Sequence, residues 1–243
     1  MSAPVFLKES GLPVSGRVLL DGPEGRHAAT VRRLRAGERV DLTDGAGLMA
    51  LCTVVAAAKD SLELEVLELR REPAARPRIV VVQALPKGDR GELAVETMTE
   101  VGVDEIVPWA ASRCVTQWRA DKRDKALGRW RSTAREAAKQ ARRAWLPEVS
   151  DLASTKQVAG RLAAASRALV LHEAATAPLS GVSAPDNGEI IVVVGPEGGI
   201  SDAELATFAA AGATPVLLGP TVLRTSTAGV AAASVLLAAT HRW

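Results

Sequence analysis

Residues 190–232 contain two short aliphatic runs that each end in Gly-Pro. The first run, 190–194, meets Gly195-Pro196-Glu197-Gly198-Gly199, and the second, 215–218, meets Gly219-Pro220 and continues to Arg224, the one charge of its loop. Glycine lets backbone approach a ligand closely or take positive φ. A strand, a glycine loop and a helix in succession commonly place a ligand at the strand's carboxyl end. The spacing excludes two phosphate motifs, because residues 195–199 lack both the Gly-Lys-Ser/Thr of a P-loop and the pattern GxGxxG. Tight turns with no ligand are the plain alternative. Two further side chains sit at strand ends. Lys87 is either a phosphate contact or a solvated loop lysine, and His172 is either an acid or base or a packing residue.

These loops need elements to hold them. Runs 190–194 and 215–218 read as buried strands, Ser201 and Glu204 form a capping box for a helix, and an alanine-rich apolar helix carries the chain to His241. Upstream, 78–85 (RIVVVQAL) reads as a strand, 91–101 as a helix stopped by Gly102, and 103–109 as the next strand. That succession indicates a parallel α/β unit. A helix over 155–166 and a strand over 168–171 follow, and 174–188 reads as loop.

Before this part, strands at 17–20, 39–43, 48–55 and 61–69 alternate with glycine-bearing turns, which suggests a small β-barrel or sandwich. A short helix over 27–34 carries Arg32, Arg33 and Arg35. Residues 70–77 hold two prolines and charge without periodicity, so two domains are expected, 1–73 and 74–243.

Residues 113–143 are strongly basic. Leu127, Trp130, Ala134, Ala137, Ala138, Ala141 and Trp145 recur at helical spacing as an apolar face, and Arg131, Arg135, Lys139 and Arg142 form a cationic stripe. Such a stripe either holds phosphates or is a solvated face. Net charge is only +2, so affinity for nucleic acid must come from local distribution. Cys52 and Cys114 are isolated, which supports neither a disulfide framework nor a zinc site and fits a reducing cytoplasm. No apolar run approaches the ~18 residues of a membrane span, and the amino-terminal stretch does not read as a secretion signal.

The motif at 194–201 (VGPEGGIS), the following Glu204, and Leu218-Gly219-Pro220 through Leu223-Arg224-Thr225-x-Thr227-Ala228 resemble the bacterial 16S ribosomal RNA uridine-N3 methyltransferases of the SPOUT superfamily. The likeness extends to Lys87-Gly88-Asp89, Ser112-Arg113-Cys114, Gln140-x-x-Arg143, and His27-x-x-x-Val31-x-Arg33. It implies a trefoil-knotted α/β domain with a parallel sheet, preceded by a PUA-like β-barrel that helps grip RNA. It further implies S-adenosylmethionine as methyl donor, N3 of a uridine in the 30S subunit as acceptor, a homodimer, and no metal or membrane.

Carried onto this chain, the resemblance puts the cofactor at Leu171, His172, Glu173, Gly195, Pro196, Glu197, Gly198, Leu218, Gly219, Leu223, Thr225 and Ala228. RNA contacts fall to Arg32, Arg33, Lys87, Arg113, Arg135, Gln140 and Arg143. Arg224 would stabilise the uracil anion and Glu197 would accept the imide proton, unless Glu197 only caps the following helix. Lys139, Thr221 and Ser226 depart from the family pattern, which commonly has glutamate, arginine and glutamate there. A related enzyme acting on another base or a ribose 2′-hydroxyl, and a non-catalytic RNA-binding assembly factor, are the alternatives.

Overall fold

The computed structural model describes residues 3–9 and 11–243. Residues 1, 2 and 10, part of the stretch read above for a targeting signal, lie outside the described residues. The chain divides into two compact units, one running up to Ala74 and taking in Ala138–Leu146, the other comprising Ala75–Ala137 and Pro147–Trp243.

Among the described residues up to Ala74, the first unit holds five strands and two short helical stretches: β1 (Val5–Leu7), β2 (Gly16–Leu20), α1 (Gly22–Arg26), a π-helical turn (His27–Val31), β3 (Arg39–Thr43), β4 (Leu48–Ala57) and β5 (Leu62–Arg71). They form one sheet in the order β1-β3-β4-β5-β2, antiparallel except for the β1–β3 pair. Burial along much of β4 and β5 alternates residue by residue, as it does when one face of a sheet is buried. Phe6, Leu20, Leu42, Leu62 and Leu64 fill that face. The strands expected at 17–20, 39–43, 48–55 and 61–69 are present, and β1 is an addition.

The helix expected over 27–34 differs. It begins at Gly22 and ends at Val31, leaving Arg32, Arg33 and Arg35 beyond it, with Arg33 at φ 55°. Pro23 supplies an N-terminal start that the arginine-rich reading overlooked.

In the second unit the elements run β6 (Arg78–Ala84), α2 (Arg90–Val101), β7 (Glu105–Trp109), α3 (Ala120–Gln140), β8 (Glu148–Val149), α4 (Thr155–Ala164), β9 (Arg167–Leu171), β10 (Glu189–Val194), α5 (Asp202–Ala210), β11 (Thr214–Val216) and α6 (Thr225–Ala239). The last turn of α3 groups with the first unit. Six strands pair in the order β11-β9-β10-β6-β7-β8, every pair parallel. The central strands β6 and β10 are buried almost end to end, which is why they read as unbroken aliphatic runs. Each such valine or isoleucine contributes about 1.5–3 kcal/mol by leaving water.

Helix boundaries follow local chemistry. Gly102, at φ 109°, takes the left-handed position that closes α2. Capping boxes open α4 (Ser154 with Gln157) and α5 (Ser201 with Glu204). Helix α6 packs on α2 and β6, and Gly229 permits the approach, since a Cβ there would lie 2.7 Å from the Met98 sulfur.

At the amino ends of the strands, Glu105 is only 2% exposed and is held by Arg78 at 2.9 Å and Arg161 at 2.8 Å, with a hydroxyl bond from Ser150. Burial by itself would raise this carboxyl, but the bonds from Arg161 and Ser150 and the charges of Arg161 and Arg78 outweigh it. Its pKa therefore lies below the ordinary carboxylate value. A depressed pKa contributes stability that is present above the unfolded-state pKa and is lost as pH falls through the folded-state value. Glu105→Gln should be less stable than wild type in urea at pH 7, by about 3 kcal/mol. The gap should close as pH drops below about 4, and a gap independent of pH would refute this account.

Candidate cofactor and RNA site

Because all six strands run the same way, the loops that follow β6, β7, β9, β10 and β11 emerge at one edge. The loops after β9 and β11 are tied together by Leu217 N–H to Ala177 O and Leu179 N–H to Leu217 O, both 2.8 Å, and by His172 N–H to Val216 O at 3.0 Å. Leu171 ends β9, His172 and Glu173 begin the first of these loops, and Leu218, Gly219 and Leu223 lie in the second. The His172 Nδ1 accepts from Ala174 N–H at 3.2 Å, so that nitrogen serves the turn.

In the loop after β10, a Cβ on Gly195 would lie 2.7 Å from Ile200, and one on Gly198 would lie 3.1 Å from the Arg113 Cβ. Both positions therefore favour glycine for space, and Gly199 for its φ of 72°. A Cβ on Gly219 would meet nothing within 4 Å, so neither space nor a positive φ calls for glycine there. Pro196 is buried, whereas Glu197 and Gly198 are exposed. The Glu197 Oε1 accepts the Lys87 N–H at 3.1 Å, which links the loops after β6 and β10.

Arg224 is the N-cap of α6 in extended conformation, and its carbonyl accepts the N–H groups of Thr227 and Ala228. Its guanidinium is exposed and has no ion-pair partner among the described residues. Thr225 is buried, and its carbonyl accepts from Gln83 Nε2 at 3.3 Å, while Ala228 is half-buried one turn along. Gln83 was not singled out from the sequence, although a polar residue inside RIVVVQA was a signal. Cys52 is no nucleophile, because burial pushes its thiol up to about 12, and burial likewise raises Cys114.

In the second unit, Lys87, Arg113 and Arg135 are exposed, and Arg113 Nη1 donates to Gly198 O at 3.3 Å. In the first unit, Arg32, Arg33 and Gln140 are exposed and Arg143 is half-buried. The cationic stripe needs correction. Lys139 is 7% exposed and pairs with Glu24 at 2.7 Å, and Arg142 lies past the helix at φ 57°. Arg131 spends its guanidinium on Val149 O and Asp151, each at 3.0 Å. Helical spacing placed these side chains on one face but gave no sign of the residues that fold over it. Helix α3 starts at Ala120, so Arg113 and Arg119 of the basic segment precede it. Trp130 is core, with Trp118 edge-on to it at 5.1 Å, and the Trp145 indole N–H donates to Glu72 O.

With this geometry, residues 73–237 match the RNA methyltransferase domain model, and residues 20–67 match the RNA methyltransferase PUA domain model. The ribosomal RNA small subunit methyltransferase E of Mycobacterium bovis is 48% identical over 248 residues, covering 100% of this chain and 94% of that protein. The chain belongs to the ribosomal RNA small subunit methyltransferase E family. The Bacillus subtilis member is 30% identical, covering 89% of this chain and 88% of its own. The Neisseria gonorrhoeae member, solved bound to S-adenosyl methionine, superposes with TM-score 0.86 at 27% identity over 98% of both chains.

The fold is the SPOUT-like parallel-sheet methyltransferase domain preceded by a PUA-like domain. Among the described residues no group of three or more His, Cys, Asp or Glu could hold a metal ion, and no helix is long and apolar enough to cross a membrane.

Lys139 is nearly fully buried, and Glu24 supplies the opposite charge. Lys139→Ala should cost about 3 kcal/mol in urea unfolding by leaving the Glu24 carboxylate half-buried without that partner. Adding Glu24→Ala should recover part of the loss. No recovery would mean that the pair is not coupled.

Proposed function

We propose that this chain transfers the sulfonium methyl group of S-adenosylmethionine to N3 of a uridine in 16S ribosomal RNA of the 30S subunit. The observation that carries this reading is the guanidinium of Arg224 at the start of α6, exposed and without an ion-pair partner among the described residues, at the same sheet edge as the glycine loops. Leu171, His172, Glu173, Gly195, Pro196, Glu197, Gly198, Leu218, Gly219, Leu223, Thr225 and Ala228 hold the cofactor, mainly through main chain. The bound cofactor supplies an already activated methyl group.

Two tasks remain for the protein. The loops would orient the acceptor base toward the bound methyl donor, an orientation effect. Arg224 then stabilises the charge that appears on the uracil ring as N3 gives up its proton. Glu197 receives that proton. Its Oε1 is engaged by the Lys87 N–H, and Oε2 has no partner among the described residues.

RNA is gripped by Lys87, Arg113 and Arg135 on the methyltransferase domain and by Arg32, Arg33, Gln140 and Arg143 on the PUA-like side. The enzyme works in the cytoplasm as a homodimer, with α6 near the interface. Sedimentation reads the oligomeric state.

The direct experiment incubates labelled cofactor with 30S particles from a strain lacking the enzyme and identifies the methylated nucleoside by mass spectrometry. 3-Methyluridine is expected. A 2′-O-methyl nucleoside or another base would assign the chain to a related reaction, and no label would leave an RNA-binding factor. Arg224→Ala should lower kcat by about 10²- to 10³-fold while calorimetry shows cofactor affinity changed less than about threefold. Collapse of cofactor affinity would make Arg224 a binding residue.

A further inference from the structure

Glu204 opens α5 in a capping box, yet its carboxylate does more than a cap requires. It is 5% exposed. Oε2 accepts the Ser201 N–H at 3.0 Å, the Ser201 hydroxyl at 2.7 Å and the Ser112 hydroxyl at 2.9 Å. Oε1 accepts the Ser112 N–H at 2.8 Å and the Thr155 hydroxyl at 3.2 Å. Ser201 ends the loop that begins at Gly195, and Ser112 immediately precedes Arg113 in the loop after β7. Strands β10 and β7 are not neighbours, because β6 lies between them. One carboxylate thus joins two loops across the end of a third strand. Alongside, Arg113 Nη1 reaches Gly198 O at 3.3 Å, and the Arg113 carbonyl would lie 3.2 Å from a Cβ on Gly198.

We propose that Glu204 is a positioning residue that holds the Arg113 loop against the cofactor loop, so that RNA contact and methyl donor are set in register by one side chain. This rests on the methyltransferase reading of the same site. The chemistry requires a carboxylate. Each oxygen faces a main-chain N–H that can only donate, at Ser112 on one side and Ser201 on the other. A carboxamide has one acceptor oxygen, so whichever way it turns, one N–H is left facing an NH₂ group. Burial would raise the Glu204 carboxyl, but the hydrogen bonds from Ser112 and Ser201 outweigh it and hold its pKa below the ordinary carboxylate value. The group therefore stays charged at neutral pH. Glu204 touches neither reactant and acts through Arg113 and the cofactor loop.

The test compares full-length wild type, Glu204→Gln, Arg113→Ala and the double variant, using 30S particles and S-adenosylmethionine, with calorimetry of S-adenosylhomocysteine. Glu204→Gln should raise KM for 30S about tenfold, and the double variant should be no worse than Arg113→Ala, because both remove the same positioned contact. Cofactor affinity should change less than about twofold, which a general loss of structure would not spare. Losses that multiply in the double variant, or a defect confined to cofactor affinity, would overturn the proposal.

If Glu204→Gln does not fold, Ser112→Ala takes its place, with the same non-additivity expected against Arg113→Ala. Should wild type bind cofactor but transfer no methyl to 30S, the methyltransferase reading fails on its own. The clamp is then read by amide exchange at Ser112, which is faster in Glu204→Gln if the tie exists and unchanged if it does not.

Discussion

Six strands pointing the same way impose the constraint on which the site depends. A parallel ladder cannot be closed by hairpins, so each strand must be followed by a crossover that returns the chain to the far edge. The loops that follow the strands are thereby gathered on one side, and none needs its own scaffold. The aliphatic runs of β6 and β10 suit these two strands to the centre of the sheet, where both faces are covered. Gly229 then lets α6 lie close against β6 and α2, bringing the start of that helix, with Arg224 and Thr225, to the end of the sheet.

Charge is separated along the strands. The amino edge holds the buried Glu105 among arginines, a closed network with little left to offer a ligand. At the carboxyl edge two acids bind backbone: Glu204 at Ser112 and Ser201, and Glu197, through one oxygen, at Lys87. Cations at that edge face outward, at Arg224, Lys87 and Arg113. An anionic polymer would thus meet cations at the edge where the glycine loops lie.

Much of this was legible because its cause is local. The order of strands and helices in the second unit, apart from the two-residue β8, follows from aliphatic runs, capping boxes and Gly102, and the glycine loops from their own spacing. The motifs also carried the family resemblance, which the comparisons bear out. Illegible from sequence were partnerships between distant residues. Lys139 reads as one more basic side chain on a helix, and only the fold sets Glu24, 115 positions away, beside it. The grouping of 138–146 with the amino-terminal unit is of the same kind, as is the π-helical turn that ends before Arg32.

Short-range chemistry, then, was determined by the sequence itself: where strands stop, where glycine must stand, which helix ends are capped, and which loops carry Arg224 and Glu197. Tertiary structure decided which charges remain available and which are consumed, and that Glu204, legible only as a cap, also reaches Ser112 and Thr155. The physical reason is range. Turn and capping propensities act over a few residues, whereas the partner of a buried charge is set by whichever distant strand or helix the packed core brings within hydrogen-bonding distance.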